Sequence, residues 1–283
     1  MRYVDLHVHT TKSDGTVPPR DIAGRAREAG LAAIAVTDHD TVAGYAEAAL
    51  GGAECGVEVV PGIELSTGWE HNEIHLLGYC FDPGSEAIKP ALEWVINDRR
   101  ERNEKMAALM RADGLPVTAE ELYARYPDST VGRPHFAVKL MELGLASSVK
   151  DAFVRYVAPG QKYYVRRHFI PFDEAVRVVR LAGGRAVLAH PYQYRLGDER
   201  LRELLDYCVS VGVEGMECLY SGYTPEQEKH LEGLAGEYGL LMTGGSDYHG
   251  EHKPDIKLGV GTGNLRVPYE LLEKLKNKRT PVD

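Results

Sequence analysis

Residues 5–10 read Asp5-Leu6-His7-Val8-His9-Thr10, and they close a short apolar run that begins at Tyr3. The two histidines stand two positions apart. Because alternate residues of a strand point to the same face, both imidazoles would lie on one side of a sheet, within reach of one metal ion. A pair of solvent-exposed strand histidines is the alternative interpretation of this motif taken alone. The rest of the chain decides between the two.

Further apolar runs of strand length follow, and helical segments separate most of them. They cover residues 31–37, 57–60, 74–79, 185–189, 213–218 and 240–243. The first helix, at 21–29, follows two prolines and ends at a glycine, which is the usual asymmetry of helix ends. Thr41 is predicted to cap the next helix, which runs through Leu50. Strands that alternate with helices predict a mostly parallel sheet, open or closed into a barrel.

Residues 88–156 differ from the rest, because their hydrophobic pattern is nearly all helical. One long amphipathic helix, from about residue 92 to 110, is followed by three shorter ones. The mixed charge of Arg99-Arg100-Glu101-Arg102 predicts a solvated helix face with i, i+4 ion pairs. We expect residues 88–156 to be a helical insertion that caps the site. The barrel that holds the site is then formed by residues 1–87 and 157–283.

Composition excludes several classes of protein. The 283 residues carry 33 basic and 42 acidic side chains, a formal net charge of −9, which argues against a protein that coats duplex DNA. No apolar run approaches the ~18–20 residues of a membrane span, and the N-terminus lacks the apolar segment of a secretory signal. Cys55, Cys80, Cys208 and Cys218 show no disulfide or metal spacing, so buried free thiols in a reducing cytoplasm are expected. No heptad seam or dimer face stands out, which predicts a monomer or weak homo-oligomer.

Titratable residues stand at or just after the ends of the predicted strands. They are His7, His39, Glu64, His190, Glu217 and Asp247. In barrels of parallel strands and in open α/β sheets, ligands bind at the carboxyl ends of the strands. Capping or solvation explains any one such residue, but six at equivalent positions indicate a common site.

Two further clusters mix imidazoles with carboxylates. They are Thr37-Asp38-His39-Asp40 and Gly244-Gly245-Ser246-Asp247-Tyr248-His249, and Ser13-Asp14-Gly15 follows the first histidine pair. No cysteine occurs in these clusters, so they suit Zn, Mn or Fe rather than a thiolate site.

These clusters resemble the motifs of the PHP (polymerase and histidinol phosphatase) superfamily, and the match runs across almost the whole chain. Pro61-Gly62-Ile63-Glu64 and Ala189-His190-Pro191 complete the set, and Val131-Gly132-Arg133-Pro134-His135-Phe136-Ala137 resembles the helical insertion of its small metal-dependent phosphoesterase branch. That branch includes phosphatases of nucleoside 3′,5′-bisphosphates and of AMP, and a 5′-to-3′ exoribonuclease.

The resemblance implies a distorted (β/α)7 barrel with an inserted, mainly helical cap domain and three divalent metal ions, Mn²⁺, Fe²⁺ or Zn²⁺. The implied ligands are His7, His9, Glu64 and Asp247 for the first ion, Glu64, His75 and His190 for the second, and Asp14, His39 and His249 for the third. Some members of the family have histidine where Asp14 stands, and the carboxylate slightly favours manganese or iron over zinc.

The expected reaction is the hydrolysis of a phosphate monoester of a nucleotide by a metal-bound hydroxide, attacking in line. Removal of the 3′-phosphate of a nucleoside 3′,5′-bisphosphate is the preferred prediction. An AMP phosphatase and a 5′-3′ exoribonuclease on short 5′-phosphorylated RNA are alternatives, followed by a histidinol phosphate phosphatase and a non-catalytic metal-binding module. The candidates for catalysis are His190 and His249, which are alternatively ligands only, and Asp38, expected to orient a ligand histidine.

Candidate substrate contacts lie in and beside the insertion. Arg133 offers two parallel N–H donors to a phosphate, with His135 beside it; a surface arginine and a capping histidine are the alternative. Lys162, with Arg166, Arg167 and His168 close by, is either a nucleotide contact or part of a solvated basic edge. Further candidates on the same rim are Tyr192, Tyr194, Arg195, Ser221, Tyr223 and His252.

Overall fold

The computed structural model describes residues 2–70 and 72–277, so the outermost ends of the expected barrel segments, Met1 and 278–283, lie outside the described residues. The strands are β1 Tyr3–Val8, β2 Ala33–Val36, β3 Glu58–Trp69, β4 Asn72–Tyr79, β5 Ile170–Pro171, β6 Arg185–Leu188, β7 Gly215–Tyr220, β8 Leu241–Gly245 and β9 Val267–Pro268. The helices are α1 Pro19–Glu28, α2 Tyr45–Cys55, α3 Lys89–Ala112, α4 Ala119–Arg125, α5 Arg133–Glu142, α6 Val149–Ala152, α7 Phe172–Leu181, α8 Asp198–Ser210, α9 Pro225–Tyr238 and α10 Tyr269–Lys276.

The strands form one sheet with the order β8-β7-β6-β4-β3-β2-β1-β9, and β5 pairs with β3. The pairs β1–β2, β2–β3, β6–β7 and β7–β8 are parallel, as the alternation of strands and helices predicts. The sheet departs from this pattern at β9, which runs antiparallel to β1, and at β4, which runs antiparallel to both β3 and β6. The connection between β3, which ends at Trp69, and β4, which begins at Asn72, is too short for a crossover helix. These two strands can therefore only form a hairpin.

The strand predicted at 57–60 is much longer in the structure, because β3 continues through Pro61 and Gly62 to Trp69. Pro61 and Gly62 are turn residues by composition, and for that reason the sequence predicted an end there. In the structure β2 passes very close to Gly62, since a Cβ atom on that glycine would lie 2.7 Å from the carbonyl oxygen of Val36. The glycine therefore marks a close approach of two backbones within the sheet.

The sheet closes into a nearly complete barrel where the carboxyl ends of β1 and β8 meet. Asp247 N donates to the carbonyl oxygen of His7 over 2.9 Å, and His9 N donates to that of Tyr248 over 3.0 Å. Below this contact, the buried carboxylate of Asp5 accepts hydrogen bonds from the backbone N–H groups of Ser246 at 2.8 Å and Gly259 at 2.7 Å. The first and third sequence clusters are thereby brought side by side.

Gly245→Ala is expected to lower the free energy of unfolding by about 3 kcal/mol, because overpacking a rigid contact is costly. A Cβ atom at this position would lie 2.3 Å from His7 Cβ and 2.4 Å from His7 N, where neither strand can yield. Urea unfolding of the metal-free protein measures the loss. The control is Gly24→Ala in α1, whose Cβ would meet nothing within 4 Å and should stabilise the helix slightly. Equal stabilities for the two variants would contradict the close contact.

The helix that follows β2 starts later than predicted. Helix α2 begins after Gly44, and Thr41 accepts a hydrogen bond from Ala43 N at 3.2 Å instead of capping the helix. The reason is that residues 41–44 form a turn of their own, which uses the threonine hydroxyl locally.

Helices α3 to α6 lie between β4 and β5 and pack around their own apolar cluster, which includes Met106, Phe136 and Leu140. The prediction of a solvated face on α3 is wrong for Arg99 and Arg102, which are only 8% and 3% exposed. That face packs against the barrel. Glu101 of the same stretch is exposed and forms the predicted i, i+4 ion pair, with Lys105. The division into a barrel at 1–87 and 157–283 and a cap domain at 88–156 stays a prediction.

Two smaller features bear on the compositional predictions. Cys208 and Cys218 are buried as predicted, Cys55 and Cys80 are half-buried, and all four are unpaired thiols. No helix within the described residues has the length and apolarity to cross a membrane.

Candidate metal centre

One carboxylate, that of Glu64, lies at the middle of the histidine cluster. It is carried by β3 just beyond the pairing with β2, and only 1% of the residue is exposed. Five imidazole nitrogens surround it. Oε1 lies 2.7 Å from His75 Nδ1 and 2.9 Å from His190 Nε2. Oε2 lies 3.1, 3.2 and 3.3 Å from nitrogens of His39, His9 and His7.

Two further carboxylates flank this cluster on the β1–β8 side. Asp247 Oδ1 lies 3.2 Å from His9 Nε2, 3.4 Å from His249 Nδ1 and 3.6 Å from His7 Nε2. Asp14 Oδ1 lies 3.2 Å from His249 Nε2 and 3.6 Å from His9 Nδ1. The three carboxylates therefore share histidines, so neighbouring metal positions would share ligands.

The donor atoms fit divalent metal ions. Within the described chain, three groups have ligand atoms within 4.8 Å of one another: His9, Asp14, His39 and His249; His7, His9 and Glu64; and His39, Glu64 and His75. Six buried atoms of this cluster that could ligate a metal make no hydrogen bond: His7 Nε2, His9 Nε2, Asp14 Oδ1, His39 Nδ1, Glu64 Oε2 and His190 Nδ1. Each unpaired buried polar atom costs about 1–3 kcal/mol, which a coordinated cation would offset.

These groups share most members with the sets implied by resemblance but differ in three places. His9 joins Asp14, His39 and His249; Asp247 is not grouped with His7, His9 and Glu64; and His39 takes the place of His190 beside Glu64 and His75. His190 contacts Glu64 through Nε2.

Protonation in the metal-free cluster follows from burial and from the carboxylates. Burial raises the pKa of Glu64, but the neighbouring His39 and His75 outweigh it and hold that pKa well below its usual value. Burial opposes the charged form of His75, yet Glu64 raises the pKa of that imidazole to about 10. Burial prevails at His39 and lowers its pKa to about 3. Metal binding would therefore displace protons from part of the cluster.

Glu217, on β7, positions two of the histidines. It is fully buried, its Oε1 lies 3.0 Å from His7 Nδ1, and its Oε2 accepts a hydrogen bond from His190 N at 2.8 Å. Such a carboxylate fixes the tautomer of an imidazole and aims its other nitrogen at the metal. The sequence placed Glu217 at a strand end without giving it a role.

Asp38 holds the loop that carries Asp14. It is fully buried and accepts hydrogen bonds from Thr10 N at 2.7 Å, Thr10 Oγ1 at 2.6 Å and Ser13 Oγ at 2.6 Å. Ser13 Oγ lies 3.4 Å from His9 Nδ1. Asp38 thus acts on His9 through Ser13, and it contacts no histidine through a hydrogen bond of its own.

Three residues of the site have left-handed backbone conformations that side chains rarely adopt. Their φ angles are 56° at Asp40, 23° at His190 and 58° at Asp247. Backbone of this kind is costly outside glycine and is found where a site dictates the conformation.

A cavity of about 230 Å³ opens beside the cluster. The histidines and Asp14 form one wall, and cationic side chains form much of the rest. The lining includes Asp14, His39, His75, His249, Arg99, Arg102, Arg133, Arg167, Lys253 and Phe153.

Three of the four arginines pair with buried or half-buried carboxylates, whereas Arg102 Nε donates to Asn103 Oδ1 at 2.9 Å. Asp40 Oδ2 accepts a hydrogen bond from Arg99 Nε at 2.8 Å and lies 3.5 Å from Arg167 Nη1. Burial raises the pKa of Asp40, but Arg99 and Arg167 bring it below its ordinary value. Glu73 pairs with Arg133 at 3.0 Å and lies 3.6 Å from His75 Nε2. The arginine wall and the histidine wall are thus connected through Glu73.

Comparisons with known proteins agree with this geometry. The family model for the PHP domain matches residues 5–130. A Haemophilus influenzae protein named 5′-3′ exoribonuclease is 33% identical over 245 residues, covering 87% of this chain and 89% of the relative. The chain belongs to the PHP family. A Chromobacterium violaceum member, named 3′,5′-nucleoside bisphosphate phosphatase, is 31% identical over 260 residues, covering 90% of this chain and 91% of the relative.

A solved structure from Bifidobacterium adolescentis, described as that of a metal-dependent phosphoesterase, superposes with a TM-score of 0.86. The identity is 33%, and the alignment covers 97% of this chain and 95% of the other. The predicted superfamily, the barrel fold and the class of reaction are confirmed. The protein is a PHP phosphoesterase that binds divalent metal and hydrolyses phosphoric ester bonds.

Only some of the residues predicted from sequence to contact substrate line the cavity. Arg133 lines it, whereas His135 caps α5, with Nδ1 accepting from Gly132 N at 3.0 Å. Burial lowers the pKa of His135 to about 4. Lys162 is exposed and paired with Asp113 at 2.5 Å.

With the exception of Arg167, the other residues predicted to contact substrate do not line the cavity. Tyr192 OH lies 2.5 Å from His230 Nδ1, Arg195 is exposed, and His252 Nδ1 donates to the carbonyl oxygen of Asp14 at 2.7 Å. Of the two histidines considered for catalysis, His249 lines the cavity, and His190 does not.

Sequence reasoning missed several residues that the structure brings to the PHP cavity, chiefly Arg99, Arg102 and Lys253. Arg167 was named in the group around Lys162, either as a nucleotide contact or as part of a solvated basic edge. A signal was present, because the i, i+3 spacing of Arg99 and Arg102 places both on one helix face.

Proposed function

We propose that this phosphoesterase acts on a small nucleotide carrying two phosphate groups, and that it removes the 3′-phosphate of a nucleoside 3′,5′-bisphosphate. One observation carries the proposal: a single cavity has a cluster of metal-ligating side chains on one wall and four arginines around the rest. A phosphate at the first wall would be hydrolysed. A second phosphate at the arginines would hold the substrate in place.

The proposed ligands are the nine residues implied by the family motifs, and the proposed metals are three ions of Mn²⁺, Fe²⁺ or Zn²⁺. When bound, such ions neutralise phosphate charge and lower the pKa of coordinated water towards neutrality. The chain's own contribution is orientation. Glu217 fixes His7, Asp38 fixes the loop before Asp14, and the backbone contact of β1 with β8 keeps His7 beside Asp247.

The arginine wall suits a phosphate dianion better than a neutral group. Arg133, Arg99 and Arg167 offer planar N–H donors, and their partners, Glu73 and Asp40, hold the guanidinium groups in fixed positions. Phe153 lines the same cavity, with Arg133 stacked over its ring at 5.3 Å. An aromatic ring next to a phosphate site offers a surface for a nucleobase.

A second candidate is 5′-3′ exoribonuclease activity on short 5′-phosphorylated RNA. It is favoured by the Haemophilus relative of that name, which aligns with most of this chain. In that case the arginines would bind the 5′-phosphate of the terminal nucleotide, and the ester at the metal centre would be a diester.

The test is release of phosphate or nucleotide from a panel of substrates, with bound metals measured on the same preparation. The panel is adenosine 3′,5′-bisphosphate, AMP, histidinol phosphate and 5′-phosphorylated short RNA, each with Mn²⁺, Fe²⁺ or Zn²⁺. We expect the highest kcat/KM with the bisphosphate. Nucleotide release from RNA with no phosphate release from the bisphosphate would favour the second candidate, and inactivity on every substrate would refute both.

Arg133→Ala is expected to reduce kcat/KM for the bisphosphate by roughly 10–100-fold, the worth of one or two charge-assisted contacts to phosphate. The loss should be smaller on a substrate with a single phosphate. Arg125→Ala is the matched control, since Arg125 is exposed on α4 and paired with Glu142 away from the cavity. An Arg133 variant that behaves like the Arg125 variant would remove Arg133 from the substrate site.

We also propose that the protein works in a cytoplasm, as a monomer or weak homo-oligomer. Four unpaired thiols support the first part. Light scattering coupled to gel filtration tests the second part, and a stable dimer at micromolar concentration would contradict it.

A further inference from the structure

Lys253 is a cation that lines the cavity close to the histidine cluster. It follows the short helical turn Gly250–His252, and its side chain is 40% exposed. Its Nζ lies 2.7 Å from Oδ2 of Asp247, whose other oxygen faces the histidines. The ammonium group therefore lies next to a proposed metal ligand and is open to the space where substrate enters.

The hydrogen bonds of Asp247 leave Lys253 with spare donors. Asp247 Oδ2 accepts a second hydrogen bond from the hydroxyl of Tyr220, also at 2.7 Å, and Tyr220 is buried and does not line the cavity. Tyr220 is thus sufficient to hold Oδ2 in place and leave Oδ1 for a metal ion. An ammonium group has three N–H donors, of which Asp247 takes one.

We propose that Lys253 is a substrate-binding residue that contacts the phosphoryl group undergoing hydrolysis, rather than a residue that only supports Asp247. The inference rests on the proposed function and assigns a cation to the scissile phosphate, whereas the arginines serve the second phosphate. Negative charge grows on the phosphoryl oxygens and on the leaving oxygen during the reaction. A fixed ammonium at that position stabilises this charge without reorganising.

Binding of inorganic phosphate tests the proposal without relying on turnover. The Mn²⁺-loaded protein is titrated with orthophosphate in a calorimeter, and bound metal is measured for each variant. Lys253→Met and Tyr220→Phe each remove one hydrogen bond to Asp247 Oδ2, but only the first removes a group that faces the cavity. We expect phosphate affinity to fall about 10-fold in Lys253→Met and less than about 3-fold in Tyr220→Phe, with Lys253→Arg retaining most of it.

The same titration on metal-free protein separates the two phosphate positions. Without metal, phosphate is expected to bind only at the arginine wall, so Lys253→Met should then bind it as the wild type does. An equal loss with and without metal would place Lys253 with the arginines and overturn the proposal. So would equal effects of the two variants, loss of bound metal from Lys253→Met with normal phosphate affinity once metal is restored, or absence of phosphate binding by the loaded wild type.

These outcomes differ from failure of the proposed function. If the wild type hydrolyses no nucleotide of the panel but its phosphate affinity depends on Lys253 as described, the nucleotide substrate is wrong and the role of Lys253 stands. If the bisphosphate is hydrolysed, Lys253→Met should lower kcat/KM by at least as much as it weakens phosphate binding.

Discussion

Glu64→Gln is expected to reduce kcat/KM by about 1000-fold, equivalent to ~4 kcal/mol of transition-state stabilisation, and to lower the amount of bound metal. The carboxylate lies within 3.3 Å of nitrogens on five histidines. An amide of the same shape brings to this position a nitrogen whose lone pair is delocalised and cannot bind a metal, and it removes one negative charge. Steady-state kinetics and metal analysis of the purified variant measure both effects.

The control for this substitution lies on the same strand. Glu58 begins β3 at the far end of the barrel, where it pairs with Lys276 and accepts a hydrogen bond from Tyr269 at 2.7 Å. Glu58→Gln should keep its metal and lose less than about 1 kcal/mol of stability, as partly exposed pairs do. Full activity in Glu64→Gln would contradict the assignment of the cluster as the reaction centre.

Asp40→Asn is expected to lower the free energy of unfolding by about 3–5 kcal/mol, the usual cost of leaving buried charge without its partner. The asparagine side chain keeps the shape, tolerates the left-handed backbone and can still accept from Ser66 N, which lies 2.7 Å from Asp40 Oδ1. It cannot neutralise Arg99 and Arg167, which both lie against Asp40 Oδ2. Urea unfolding of the metal-free protein gives the magnitude.

Added phosphate provides a second measurement on the Asp40 variant. Because Arg99 would lose its carboxylate partner and attract anions, while Arg167 keeps Asp98 at 2.9 Å, phosphate should stabilise Asp40→Asn more than the wild type. Glu142→Gln is the control, since its exposed pair with Arg125 should contribute less than about 1 kcal/mol. A variant as stable as the wild type, and indifferent to phosphate, would mean that the arginines do not depend on Asp40.

The sequence predicted those parts of the fold that depend on local pattern. Strands β1, β2 and β6 and helices α1 and α3 lie where hydrophobic periodicity and end residues place them. The antiparallel position of β4 was not predictable in this way, because it depends on which strand neighbours which. The close approach of β2 to Gly62 has the same origin, since the glycine is required by a partner 26 residues away, Val36.

The residues of the candidate site likewise fall into those that a local pattern reveals and those that depend on a distant partner. Histidines and carboxylates at strand ends were found because topology gathers strand ends at one rim. The burial of Arg99 was not found, because it depends on Asp40, 59 positions earlier in the chain. A charged helix segment looks solvated until its partner is known. Glu217 was found at a strand end, but its role was not, because that role depends on its contacts with His7 and His190. Lys253 was overlooked because it lies outside the sequence motifs and reaches the cavity only in the folded chain.

The left-handed backbone at Asp40, His190 and Asp247 sets a limit on how this protein can be stabilised. Strain of this kind costs on the order of 1–3 kcal/mol per residue, and glycine at the same positions would relieve it. A selection for thermal resistance alone would therefore favour glycine at these three positions. It would discard two proposed metal-binding side chains and the carboxylate that neutralises the arginines. More stable variants that keep the site should instead carry substitutions in the outer helices, where a relaxed backbone does not cost a functional side chain.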